Sequence, residues 1–318
     1  MRSLPALFFS LLSAAAQAQM SVQEYPLPPR ITAHDVWADP APGGPVWFSG
    51  QSSGNAGRLD PKTGKVELIP LGQGSAPHGV IVDREGSAWF TDGGQNAIVR
   101  VDARTHEVKK WPLPKETGYA NLNTATFDKA GIYWFTGQNG YYGRLDPRTG
   151  DLKVYDAPKG RGPYGIHSAP DGAVFFASLA GSYLGRIDPA SSGVQVIEPP
   201  TPNQGARRVW PDSKGMIWVS EWNSGNLSRY DPRNGSWKTW KAPGDRPRAY
   251  AVYVDETDRV WISEWDKQLM MRFDPAAEKW DSFASSSGTA NVRQIHGRKG
   301  EVWTPESAAG KLVVYRYR

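Results

Sequence analysis

The sequence predicts an all-β fold: a seven-bladed β-propeller of four-stranded blades, closed by its own N-terminal strand. Three observations carry that expectation. A unit recurs seven times at a spacing in the low forties, a tight-turn sequence recurs at a fixed place in the unit, and the last unit lacks its fourth strand.

Each unit is anchored on an aromatic-hydrophobic-small triplet: Trp47-Phe48-Ser49, Trp89-Phe90-Thr91, Trp134-Phe135-Thr136, Phe175-Phe176-Ala177, Trp218-Val219-Ser220, Trp261-Ile262-Ser263 and Trp303-Thr304-Pro305. Successive anchors lie 42, 45, 41, 43, 43 and 42 residues apart. One such residue per blade is expected to pack between neighbouring blades. Ten or eleven residues on comes Arg-x-Asp, as in Arg58/Asp60, Arg100/Asp102 and Arg229/Asp231, expected to bond between neighbouring blades and turns. Turns such as Asp60-Pro61-Lys62-Thr63-Gly64 then join a third strand to a fourth. Val66-Glu67-Leu68-Ile69-Pro70 alternates apolar and charged residues, as an outer, half-exposed strand should.

The seventh unit stops at Val313-Val314-Tyr315. Gln23-Glu24-Tyr25-Pro26-Leu27-Pro28 resembles the fourth-strand stretch Lys110-Trp111-Pro112-Leu113-Pro114, so the start of the chain is expected to complete blade seven. That closure leaves only short outer edges exposed.

Composition bounds the rest. The chain has 318 residues, 39% hydrophobic and 22% charged, with 34 glycines, 26 prolines, 14 tryptophans and no cysteine. Disulfides, thiolate metal sites and cysteine nucleophiles are excluded. Residues 1–18 read as a cleaved signal peptide: Arg2, an apolar run through Leu11-Leu12, and Ala16-Gln17-Ala18 as a small-x-small site. A periplasmic or secreted protein, a single propeller over 19–318 and a monomer without membrane insertion are expected. The formal net charge of +5 comes from basic residues scattered among acidic ones, which excludes a nucleic-acid surface.

The unit Trp218-Val219-Ser220-Glu221-Trp222-Asn223-Ser224-Gly225-Asn226-Leu227-Ser228-Arg229 resembles the repeat of the streptogramin B lyase (virginiamycin B lyase) family, and Ala76-Pro77-His78-Gly79-Val80 and Gly162-Pro163-Tyr164-Gly165-Ile166 resemble its inner-strand signature. The resemblance runs blade by blade. It implies a magnesium-dependent elimination that opens a cyclic depsipeptide at its ester, with histidines and glutamates of the last two blades as catalytic groups. Here Arg246-Pro247-Arg248-Ala249-Tyr250 puts arginine at one histidine position, Thr289-Ala290-Asn291-Val292-Arg293 carries neither glutamate nor histidine, and Glu306 falls one position early.

Propellers bind ligands at a channel mouth. Counting back from the anchors, the mouth positions are His34, His78, Asn123, Tyr164, Arg207, Tyr250 and Val292; three residues after the anchors lie Asp92, Glu221, Glu264 and Glu306. Three readings stand. In the first, Glu264 and Glu306 hold a divalent cation, Mg2+ by the resemblance, and His34 or His78 acts as a displaced base. In the second, Arg207, Arg208, Arg248 and Arg293 form a cationic collar, with Tyr164, Trp222, Tyr250 and Trp265 as flat surfaces and Asn123 beside them. In the third, the charges neutralise one another around a wet channel. The expected ligand is a small or peptide-like molecule at the mouth. The expected function is a metal-dependent carbon-oxygen lyase; the alternative is a non-catalytic binding or scaffold propeller. His106 is expected in a turn, and His167 and His296 packed along inner strands.

Overall fold

The computed structural model describes residues 20–317, so the expected signal peptide lies outside the described residues. The described chain forms seven four-stranded antiparallel sheets in a ring, with one turn of 3-10 helix at Lys115–Thr117. Among the described residues no helix is long and apolar enough to cross a membrane. Every anchor falls in the second strand of its blade, and from Val46–Gly50 through Val260–Glu264 those strands are buried throughout. Period-2 strands bury both faces only when sandwiched on both sides, and a propeller blade is sandwiched between its neighbours.

The core is correspondingly divided into seven clusters, one at each blade junction. Trp47 packs with Val80, Ala88 and Phe90 of the next blade, Trp134 with Ile166 and Phe176, and Trp303 with Val36 and Phe48 across the seam. In blades one, three and four the third strand places glycine opposite the residue after the anchor. A Cβ on Gly57 would sit 2.0 Å from the Phe48 ring, and one on Gly143 2.3 Å from Phe135, so the aromatic ring lies flat where a side chain would stand.

The Arg-x-Asp pairs act within a blade, not between blades as expected. The arginine is paired directly opposite the anchor, as Trp47 with Arg58, which places its guanidinium over that tryptophan, 5.8 Å from the ring centre. The aspartate caps the following turn: Asp60 accepts from Lys62 N–H and Thr63 Oγ1, both at 2.9 Å. Gly64 takes the left-handed φ of +72° that closes this turn, and His106 takes its place in blade two at +59°, a turn residue as expected.

The seam is as anticipated. Ser21–Pro26 pairs antiparallel with Lys311–Arg316 over six residues, completing blade seven. Tyr25 stacks on Trp303 at 5.4 Å and donates to the Pro61 carbonyl of blade one at 3.0 Å. One strand thus binds both sides of the junction.

Candidate functional site

The mouth is built by a repeated defect in pairing. In five blades the inner strand slips against the second strand, between Pro77 and Val80, Leu122 and Ala125, Pro163 and Ile166, Ala206 and Arg208, and Ala249 and Val252. The first residue inside each slip is the mouth residue read from the sequence: His78, Asn123, Tyr164, Arg207 or Tyr250. A bulge leaves its extra residue unpaired and re-aims the side chain. The hydroxyl ending the anchor triplet supplies the missing bonds. Gly79 N–H donates to Thr91 Oγ1 at 2.9 Å, and that hydroxyl donates to the Asn123 carbonyl of the next blade. Ser263 likewise accepts from Ala251 N–H at 3.0 Å and donates to the Val292 carbonyl at 2.9 Å. Ser49, Thr136 and Ser220 repeat the pattern onto His78, Tyr164 and Tyr250. The hydroxyl at the end of the triplet therefore locks four of the five bulges to their neighbours; blade four, which ends its triplet in Ala177, has none.

Two expected residues, His34 and His78, come together with one that sequence reasoning missed. Their rings are 4.1 Å apart, and the His34 Nδ1 lies 2.9 Å from Asp35 Oδ1. Arg208 reaches across the channel from blade five, donating to both Asp35 oxygens at 3.2 and 3.3 Å and to Thr124 Oγ1 at 2.9 Å. Asn123 Nδ2 approaches His78 Nε2 at 3.3 Å, while His78 Nδ1 has no partner. Burial pushes the Asp35 carboxyl up, but Arg208 and the His34 ring outweigh it and hold it below the ordinary carboxylate range. Burial lowers His34, partly countered by Asp35, and lowers His78 further with the help of His34. At neutral pH both rings are therefore uncharged. With Nδ1–H held by Asp35, the His34 Nε2 carries the lone pair. The signal for Asp35 was an aspartate directly before the apolar Val36–Ala38 strand, where a carboxylate needs a partner.

The collar lies beside this cluster. Arg207 donates to Tyr164 Oη at 3.0 Å, and Tyr164 and Tyr250 share a hydroxyl contact of 2.7 Å. The Arg207 guanidinium sits 3.4 Å from the Tyr250 ring centre, 4.3 Å from Trp222 and 4.8 Å from Tyr164. Arg248 covers Trp222 at 5.0 Å, Arg293 covers Trp265 at 5.2 Å, and Trp265 stacks on Tyr250 at 5.0 Å. Arg293 donates to Ser307 Oγ and, at 3.4 Å, to the Asn291 carbonyl. Burial raises the Tyr164 hydroxyl, but Arg207 and Arg208 outweigh it and lower it; Tyr250 is raised, by burial and then by Tyr164. Among the described residues no carboxylate forms an ion pair with Arg207, Arg248 or Arg293; Arg208 alone of the four is paired. A pocket of about 240 Å³ opens between blades seven and one, lined by His34, Asn291, Arg293 and Ser307.

The second ring of carboxylates lies at the same end, one strand further out: Glu264 pairs with Ala249, next to the mouth residue Tyr250. Its oxygens accept from the N–H groups of Arg248, Asp266 and Lys267 at 2.8, 2.9 and 2.7 Å. Glu306 accepts from Ser285 and Ser287 hydroxyls at 2.8 and 3.1 Å and lies 3.4 Å from Lys311 Nζ. Asp92 and Glu221 hold their own loops in the same way. The structure does not bring Glu264 and Glu306 to the histidines: the group of three whose donor atoms gather within 4.8 Å is His34, Asp35 and His78. Donor-satisfied carboxylates under three unpaired guanidiniums do not fit a hard dication such as magnesium, and an Asp35 already held by Arg208 does not supply an alternative.

Beneath the mouth, among Trp37, Thr124, Arg208 and Gln294, lies a cavity of about 20 Å³, room for roughly one water. His167 and His296 lie beyond it, at the opposite end, as their inner-strand positions implied.

Fold and site together define a closed propeller with a basic, aromatic mouth over a buried polar cluster. The chain belongs to the virginiamycin B lyase family, whose model matches residues 12–269. A streptogramin B lyase structure is similar at 20% identity and a TM-score of 0.85, over 94% of this chain and 98% of that one. A catalytically inactive virginiamycin B lyase from Staphylococcus aureus with quinupristin is similar at 20% identity and 0.86, over 94% and 99%. The WD40 propeller domain of Doa1 is similar at 12% identity and 0.76, over 93% and 97%. These likenesses are of fold. No curated protein sequence matches the chain.

Proposed function

We propose that this propeller binds an anionic small or peptide-like ligand at its collared mouth, as a family member in which arginine recognition replaces metal-assisted catalysis. The observation that carries this reading is three guanidiniums on aromatic faces with no carboxylate partner among the described residues. A carboxylate can take two parallel N–H bonds from a guanidinium, and the rings beneath offer flat contact for the rest of the ligand. Export through residues 1–18 belongs to the same reading, and the mass of the secreted protein tests it.

Calorimetric titration with carboxylate-bearing peptides, against the same peptides amidated, tests the binding. Binding lost on amidation and weakened at least tenfold in Arg207→Met supports the reading. Equal binding of both forms, or stabilisation by magnesium alone, overturns it.

One observation favours a second reading, an elimination without a metal. His34 presents the Nε2 lone pair beside Arg293 and Asn291, with Asp35 fixing the tautomer. His34 would take the proton from the carbon beside the one that bears the ester's alkyl oxygen, the C–H pair would form the carbon-carbon double bond, and the alkyl C–O bond would break with its pair on the departing carboxylate, which the collar receives. Incubation with a streptogramin B antibiotic and chelator, followed by chromatography and mass spectrometry, looks for the isomeric linear product. Its absence in the native protein retires this reading, and its persistence in His34→Gln reassigns the base.

A further inference from the structure

The end of the channel opposite the collar is floored by aromatic rings at one level of the inner strands. Trp37, His167, Trp210, Tyr253 and His296 each pair directly with the anchor of their own blade, and so share one height in the ring. Trp37 stacks on His296 at 3.7 Å, His167 lies 4.1 Å from Trp210, and Tyr253 meets Trp210 edge-on at 4.9 Å. Above this floor is an open basin of about 600 Å³, within the range of small-molecule sites.

The carboxylates and the arginine around the basin are already engaged, and the lysines on its lining, Lys129 and Lys299, are exposed at its rim. Asp212 and Asp255 accept from the Trp218 and Trp261 indoles at 3.0 and 2.8 Å, and Glu256 accepts from Gly300 N–H and the Tyr317 hydroxyl, both at 2.8 Å. Arg298 donates to Glu301 and to the carbonyls of Asp39, Ala41 and Gly44. The floor itself is uncharged, since burial pushes His167 down to about 4 and His296 to about 3.

Backbone contacts fix the two histidines in opposite tautomers. His167 Nδ1 lies 2.9 Å from the Ser168 carbonyl, which can only accept, so Nδ1 carries the proton and Nε2 the lone pair. His296 Nδ1 accepts from Ala38 N–H at 3.1 Å, so its proton is on Nε2. Neither Nε2 has a protein partner among the described residues, and both rings line the basin. The floor thus offers one acceptor and one donor flanking the face of Trp210.

We propose that this basin is a second ligand site, for a neutral planar molecule whose edge carries a hydrogen-bond donor and an acceptor, as in a cyclic amide or a carboxamide-bearing heteroaromatic ring. The ring stacks on Trp210, its N–H meets His167, and its carbonyl meets the His296 N–H. Anions belong to the collar, at the other end of the channel. This inference is independent of the reading of the mouth.

The test is titration of the full chain with uracil and nicotinamide, read by tryptophan fluorescence and by imidazole 15N shifts. Dimethylated uracil, which lacks the donors, and benzoate serve as comparisons. Saturable binding of either amide, at least tenfold weaker for dimethyluracil and in His167→Phe and unchanged in Arg207→Met, supports the site. The free protein should show His167 protonated on Nδ1 and His296 on Nε2. No saturation by either amide, equal binding of dimethyluracil, reversed tautomers, or loss of binding in Arg207→Met overturns it. The tautomer measurement needs no substitution, so it decides even if His167→Phe folds poorly.

Discussion

Replacing Arg208 by methionine should be among the most damaging single substitutions in the channel. The side chain is 5% exposed and makes two bonds to Asp35 and one to Thr124. Methionine fills similar volume, so the loss is electrostatic: Asp35, 1% exposed, would keep only its contact with the uncharged His34 and its place beside that ring. Stranding one member of a buried pair costs about 3–5 kcal/mol. With an unfolding entropy of roughly 2 cal/mol/K per residue, that lowers the melting temperature by about 5–8 °C. The pH dependence has a definite sign. In the native protein the folded Asp35 lies below its unfolded value, so its contribution is complete above about pH 4 and is lost as pH falls through the folded value. Without Arg208, burial raises the carboxyl, so the deficit of the variant is largest at neutral pH and shrinks as the medium becomes acid. Asp35→Asn combined with Arg208→Met should recover most of the loss, because no buried charge is left unpaired. Urea unfolding of the four proteins at pH 7 and pH 5 measures the cycle. A single variant within about 1 kcal/mol of the native protein, or a double variant as unstable as the two singles summed, would refute the reasoning.

Three further outcomes are expected. Thr91→Val keeps the shape but removes a hydroxyl that serves Gly79 N–H and the Asn123 carbonyl; about 2–3 kcal/mol should be lost on urea unfolding, against under 1 kcal/mol for Thr105→Val on an exposed turn. Tyr25→Ala removes the stack on Trp303 and the bond to Pro61, and should cost about 3–5 kcal/mol with protease cleavage appearing first near the N-terminus. His167 and His296 are held neutral by burial, with folded values of about 4 and about 3 below an unfolded value near 6.5, so the unfolded state binds protons first as pH falls. Stability should therefore decline as pH falls from about 6.5 through the folded values of about 4 and about 3, and His167→Phe should flatten that decline in thermal melts.

The blades were legible because their signals are local. An aromatic anchor, an aspartate-led turn and an alternating outer strand each report a residue's own backbone, and the missing fourth strand reported the seam by arithmetic alone. The mouth residues followed from the same counting. What they touch did not. Glu264 sits at the expected end, yet its carboxylate turns outward onto Arg248, Asp266 and Lys267, a choice made by loop amides that spacing does not register. Asp35 carried a local signal, a carboxylate directly before an apolar strand, but its partner Arg208 is 173 residues away and no spacing pairs the two. The bulges were hidden because pairing slips belong to two strands at once. The hydroxyl that secures them was in plain view in the triplet, but read there only as a small residue.

The seam also sets an order of events. The strand Ser21–Pro26 is made at the beginning of the chain and finds its partner, Lys311–Arg316, only at the end. Contacts that span so much sequence form late and slowly. Until then six blades can stack on one another while the first strand, with Tyr25 bare, waits unpaired. A nascent chain therefore carries an adhesive edge until its partner strand is made, and the last strand to arrive acts as the fastener that ends that exposure.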